Sequence, residues 1–154
     1  MIKAKEMFIA RYWGAAVEVG SRHGLHPCAI LAVAGKEGTW GMSYSSRHRN
    51  NFFGLKPKGK FAVFADASAC FDFFGRLMTR RYPAAVQASA DPVAFGQRMA
   101  FSAYVDESLA DKKEYARTMP IYWRDVAKVA KRLGLASAPL LAERTTSSAP
   151  RKTS

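Results

Sequence analysis

Glu37 stands in Ala34-Gly35-Lys36-Glu37-Gly38-Thr39-Trp40-Gly41, directly after the apolar run Ala29-Ile30-Leu31-Ala32-Val33-Ala34. It follows Ile30 by seven residues, Val33 by four and Ala34 by three, so on a helix the four share one face. A carboxyl on an apolar helix face is costly when ionised. The glycines that follow end the helix and leave the group at the negative pole of the helix dipole. Both effects favour the protonated acid. A glutamic acid that keeps its proton near neutral pH is what a glycosidase uses to protonate a leaving oxygen. The same spacing also describes a surface glutamate near a helix C-terminus, and the pattern alone does not separate the two.

The elements around Glu37 give it a setting. Residues from about Lys3 to His23 read as a first helix, with Phe8, Tyr12, Ala15 and Val19 at helical spacing and Gly24 ending it. His26-Pro27 opens a second helix, which carries Glu37 near its end. Residues 38–65 are punctuated by Gly38, Gly41, Gly54, Pro57 and Gly59 and read as irregular. A short strand over Lys60–Phe64, paired with Phe52-Phe53, is the expectation within them. Ala67, Cys70, Phe71, Phe74, Leu77 and Met78 mark a third long helix, ending by Tyr82-Pro83. Short helices are expected at Ala84–Ala88 and Pro92–Ala100, the latter with Asp91 as N-cap. Another helix spans Ser108–Met119, and Pro120 opens the last, which Gly134 ends. The fold class is mainly α, with a small, shortened β or irregular lobe after the second helix. Residues 1–141 form one domain and residues 142–154 a flexible polar tail.

The chain of 154 residues is long enough for one real core, and 49% apolar residues exclude global disorder. No apolar run reaches transmembrane length, so membrane insertion is not expected. Met1–Glu6 lacks the features of a secretory signal, which implies synthesis in the cytoplasm and any export by another route. A net charge of +12 draws the protein to polyanions, whether nucleic acid, acidic membranes or acidic wall polymers. Part of that charge, on Arg124, Lys128, Lys131 and Arg132, is spread over a helix face. Cys28 and Cys70 lie in apolar helical stretches and read as buried free thiols, with one disulfide left open. His23-x-x-His26-x-Cys28 has no convincing fourth ligand, so no metal and no cofactor is assigned.

A cleft between a helical lobe and a small lobe suits a polymer. Aromatics cluster beside Glu37: Trp40, Tyr44, Phe52, Phe53, Phe61 and Phe64. Rings such as Trp40 stack on the apolar faces of sugars, and hydroxyls need partners such as Asn50 and Asn51. Phe61 and Phe64 read instead as core.

Ala34-x-x-Glu37-x-x-Trp40-Gly41, followed by Asn51-Phe52-Phe53-Gly54-Leu55-Lys56, resembles the endo-β-N-acetylglucosaminidases of glycoside hydrolase family 73. That family reads roughly Ala-x-x-Glu-Ser-Gly-Trp-Gly, then Asn-x-Phe-Gly-Ile-Lys. Phe61-x-x-Phe64, Arg81-Tyr82, Ala103-Tyr104-Val105 and Tyr115-Ala116 continue the likeness in order, so it runs from about Pro27 to Leu133. The resemblance implies a lysozyme-like fold, Glu37 as general acid, Tyr104 shaping the site, and substrate contacts from Trp40, Asn51, Phe53 and Tyr115. It implies peptidoglycan glycan strands as substrate. Compactness and basic charge further resemble type VI secretion glycoside hydrolase effectors. Those act in a rival's periplasm and are held in check by a periplasmic immunity protein.

Two departures stand out. The family's Ser-Gly is Gly38-Thr39 here. Many members also carry a second glutamate in a longer hairpin, whereas nothing between Gly54 and Phe64 is acidic. Asp66, Asp72, Asp106 and Glu107 are the nearest later acids. The substrate's own N-acetyl group or a positioned water would then attack the anomeric carbon. Close alternatives are a muramidase or a lytic transglycosylase of the same fold. A basic nucleic-acid-binding module would explain the charge but not the ordered motifs.

Overall fold

The computed structural model describes residues 3–135, so the expected tail over residues 142–154 lies outside the described residues. Among the described residues seven helices occur, in the order α1 (Ala4–His23), α2 (Pro27–Gly38), α3 (Tyr44–Arg49), α4 (Ala67–Arg81), α5 (Pro83–Gln87), α6 (Pro92–Ala100) and α7 (Leu109–Arg132). No strand forms among the described residues.

The second helix is central because its sequence is apolar all round. Every residue from Pro27 to Gly35 is buried. An unbroken apolar surface requires neighbours on each side, and α1 and α7 supply them. Its start is fixed by His26, whose Nδ1 accepts the Cys28 amide at 3.1 Å. The Gly24 amide closes α1 on the Gly20 carbonyl at 2.8 Å, with φ +73. The remaining helices pack around this frame, α4 on α1 and α6 on α7.

Three expectations change. The chain at Pro120 does not restart; α7 runs through it. An internal proline removes one helical hydrogen bond and costs about 3 kcal/mol in an exposed helix. Here Pro120 is buried against α6: a Cβ on Gly96 would sit 3.2 Å from Pro120 Cδ and 3.3 Å from the Ala116 carbonyl. Tertiary packing thus offsets the loss. The second change is α3, a short helix capped by Ser43, whose Oγ accepts the Ser46 amide at 3.0 Å.

The third is the expected hairpin, which is replaced by side-chain bonding to backbone. The Asn51 amide donates to the Leu55 and Ala62 carbonyls at 2.9 and 3.0 Å and accepts the Leu55 amide at 3.0 Å. Asn50 donates to the Phe64 carbonyl at 3.0 Å. Asparagine side chains compete with backbone ladders in this way. Phe52 and Phe53 turn into the helical core rather than along a sheet edge. The Phe53 ring stacks on Phe74 with centroids 4.0 Å apart, and Phe52 meets Tyr12 at 5.3 Å.

Candidate active site

Glu37 occupies the last turn of α2, one residue before its end. The chain then passes through three consecutive residues of positive φ: Thr39 at 53°, Trp40 at 52° and Gly41 at 82°. Left-handed backbone at a β-branched and a bulky residue is uncommon and strained. Turn bonds hold it, from Gly41 and Ser43 amides to the Gly38 carbonyl and from Met42 to Thr39.

The lobe reaches the carboxyl with bare backbone. A Cβ added at Gly54, where φ is +66, would stand 3.1 Å from Glu37 Oε1. Only glycine combines that backbone with that approach. The Glu37 side chain makes no hydrogen bond within the described residues. Burial lifts its pKa to about 7; the Lys36 ammonium pulls it down and the Glu107 charge pushes it up. The carboxyl expected to hold a proton near neutrality does so mainly by desolvation.

Tyr104 is held beside it. Its hydroxyl donates to the Phe53 carbonyl at 2.6 Å, one residue before Gly54. Its ring packs edge-on against Phe74 and Tyr82. Burial, and then the Glu37 charge, raises the phenol well above its ordinary range, so it stays a neutral donor. Lys112 clamps the segment that carries Tyr104, donating to the carbonyls of Ala100, Ser102 and Val105. Tyr115 is buried on α7, and its hydroxyl has no hydrogen-bond partner among the described residues. The Glu37 and Glu107 charges act on it after burial does. Lys36 Nζ lies 5.0 Å from the Tyr115 ring centroid and 5.5 Å from that of Tyr122.

The other predicted residues are placed differently. Asn51 is wholly buried and its amide braces the lobe. Phe53 is wholly buried, and what it presents to Tyr104 is its carbonyl. Trp40 lies flat over Gly35, where an added Cβ would come within 2.5 Å of the ring, and it stacks on Tyr122 at 5.7 Å. Two residues along a helix turn it by about 200°, so Gly35 and Glu37 face opposite ways. Trp40 instead lines an apolar groove of about 620 Å³ with Phe8, Tyr12 and Phe52, and Glu37 is not among its lining residues. Phe64 packs half-buried against Phe73 as expected, but Phe61 is 38% exposed rather than core.

Asp66 caps α4, and Asp72 is paired with Arg22 and Arg76, which hold its carboxyl below the ordinary range. Neither acts on Glu37; Glu107 does. Lys36 was not anticipated at the site, although its adjacency to Glu37 was the available signal. Cys28 and Cys70 are buried free thiols pushed up to about 12 by burial. His23 bonds the Thr79 hydroxyl through Nδ1, and His26 caps α2.

The described residues thus form a mainly α domain, consistent with a lysozyme-like fold, wrapped around one buried helix with a carboxyl of raised pKa where that helix meets a short lobe. The model of the glucosaminidase family, described as mannosyl-glycoprotein endo-beta-N-acetylglucosaminidase, matches residues 13–136. The chain belongs to this family and is a glycoside hydrolase of the endo-β-N-acetylglucosaminidase type. A solved structure titled as a type VI secretion system effector-immunity complex from Pseudomonas protegens shares the fold, with TM-score 0.62 and 20% identity. The match covers 80% of this chain and 93% of that one. No curated protein matches the chain significantly.

Proposed function

We propose that this protein cleaves the β-1,4 bonds of peptidoglycan glycan strands as an antibacterial effector delivered into a rival cell's periplasm. The observation that carries the reading is the Glu37 carboxyl, half-buried, free of hydrogen bonds within the described residues and lifted to about 7. Such a group keeps a substantial protonated fraction at neutral pH and makes no hydrogen bond within the described residues that would compete for the proton before a glycosidic oxygen arrives. Tyr104 fixes the Phe53–Gly54 backbone on one side of it. Glu107, exposed three residues after Tyr104 and not paired with a cation among the described residues, is our candidate for the group that activates water; its charge also acts on Glu37 and Tyr115. Two carboxyls flanking the scissile bond divide these roles in most glycosidases. The likeness to an effector–immunity complex supports the delivery and an immunity protein as partner. The positive charge suits a wall polymer rich in carboxylates.

Purified sacculi digested by the wild type and by Glu37→Gln, with products borohydride-reduced and read by mass spectrometry, test this. Glucosaminitol ends from the wild type alone are expected. Muramitol ends would show a muramidase and anhydro-muramic ends a lytic transglycosylase. Equal turnover by Glu37→Gln would remove Glu37 from the chemistry.

A further inference from the structure

The lobe that approaches Glu37 carries a feature that acid catalysis does not use. Residues 38–65 contain five lysines and arginines and no acidic residue. None of the five forms an ion pair among the described residues. Two are held in place by aromatic rings instead. The Arg49 guanidinium lies 4.9 Å from the Tyr44 ring centroid and 5.4 Å from that of Phe61. Lys56 Nζ lies 4.5 Å from the Phe61 centroid. Tyr44 is 62% exposed and Phe61 38%, so both rings spend apolar surface in solvent to orient cations. Arg47, Lys58 and Lys60 of the same segment are also exposed, Arg47 donating to the Met42 carbonyl at 3.1 Å. Like charges gathered this closely repel one another, and cation–π contacts at exposed sites offset that in part. A guanidinium stacked on a ring can still turn N–H edges to an oxyanion; Arg49 uses one N–H, on Nη1, for the Ser45 hydroxyl at 3.4 Å.

Position narrows the class of ligand. Lys56 is two residues from Gly54, whose backbone abuts the Glu37 carboxyl. A ligand on this patch is therefore attached to, or close to, the polymer being cut. We infer that Arg49 and Lys56, aligned over Tyr44 and Phe61, form a subsite for a free carboxylate on the peptides that substitute the glycan strand. This rests on the peptidoglycan reading above and deepens it: the enzyme would prefer peptide-bearing strands to bare ones.

The test reads binding without turnover. Glu37→Gln protein is co-sedimented with native sacculi and with sacculi whose carboxylates have been amidated by carbodiimide and ammonia. Amidation should weaken its binding roughly three- to tenfold, the range for a pair of solvent-exposed charge contacts. Adding Arg49→Gln and Lys56→Gln should bring native-sacculus binding down to the amidated level and abolish the response to amidation. Adding Lys128→Gln and Lys131→Gln, an equal loss of charge on exposed α7 positions, should leave the response intact. Lys56→Gln alone, at an exposed side chain, should give an intermediate response if the double variant is unstable. The inference is overturned if both double variants respond alike, which would assign the effect to overall charge. It is overturned equally if the patch variant loses native and amidated sacculi by the same factor, or loses only duplex DNA or an immunity protein. A protein that binds in this carboxylate-dependent way but never cleaves would refute the function proposed above and leave the subsite standing.

Discussion

Glu37→Gln should make the folded protein more stable, by an amount that grows as pH rises from about 4.5 through about 7. The carboxyl is lifted from 4.5 in the free state to about 7 in the fold, mainly by burial. Between those values the folded chain binds a proton that the unfolded chain has lost, so stability falls as pH rises through that window. At about 1.4 kcal/mol for each tenfold change in proton affinity, the full cost above the folded value is ~3 kcal/mol. Partial solvent access to the half-buried group trims this to roughly 2–3 kcal/mol. Glutamine has nearly the same shape and no charge. Urea unfolding of both proteins should therefore show the variant more stable by roughly 2–3 kcal/mol at about pH 8 and nearly equal at about pH 4. For a domain of this size the alkaline difference corresponds to about 5–10 °C in Tm. Comparing the two proteins at each pH cancels the other titrating groups. A difference that is the same at both pH values, or a variant less stable at about pH 8, would refute the claim that the site holds its acid against a desolvation cost.

The same carboxyl sets the pH profile. Activity should fall as pH rises through about 7; Lys36→Gln should move that limb upward, read from kcat/KM against pH, and Glu107→Gln should lower kcat sharply and move the limb of the residual activity downward, while Asp106→Asn should leave it in place. Tyr104→Phe removes the 2.6 Å bond to the Phe53 carbonyl and should cost about 1 kcal/mol of stability, with a fall in kcat that Tyr104→Trp does not restore. Gly35→Ala would place a methyl 2.5 Å from the Trp40 ring; it should cost about 1–3 kcal/mol in thermal unfolding and change tryptophan fluorescence as the ring leaves Tyr122. His26 is depressed below its ordinary value by burial while its Nδ1 caps α2. The stability it contributes is present above its unfolded value of 6.5 and should be lost as pH falls through its lower folded value, a loss that His26→Asn should remove in pH-dependent unfolding.

The helical frame was legible because its signals are local. The all-apolar run of α2, Gly24 after α1 and Asp91-Pro92 before α6 each fix a boundary within a few residues. Glu37 was legible for the same reason, since spacing alone puts it on the face of Ile30 and Val33. What sequence reading missed depends on contacts between distant segments. Pro120 looks like a helix start until Gly96 on α6 is seen pressed against it. Lys60–Phe64 looks like a strand until Asn51 takes the carbonyl of Ala62. Asn51, Phe53 and Tyr115 carry the family pattern, and the fold buries all three, which no local signal in the sequence shows. Trp40 was expected beside the acid, and the left-handed turn at Thr39 and Trp40 sends it over the opposite face of α2. No local signal announces two consecutive non-glycine residues at positive φ.

The bracing of the lobe by Asn51 has a consequence for protein engineering. A β hairpin ties its length to its register, so inserted residues shift every pair beyond them. Here the ends of the segment meet at a single junction, where the Ala62 amide reaches the Leu55 carbonyl at 3.0 Å and one asparagine grips both residues. Everything from Lys56 to Phe61 hangs outside that junction. Loops of other lengths or chemistries can be exchanged there without moving Gly54 or the carboxyl it touches, which makes Leu55 and Ala62 a natural pair of splice points for altering what this domain binds.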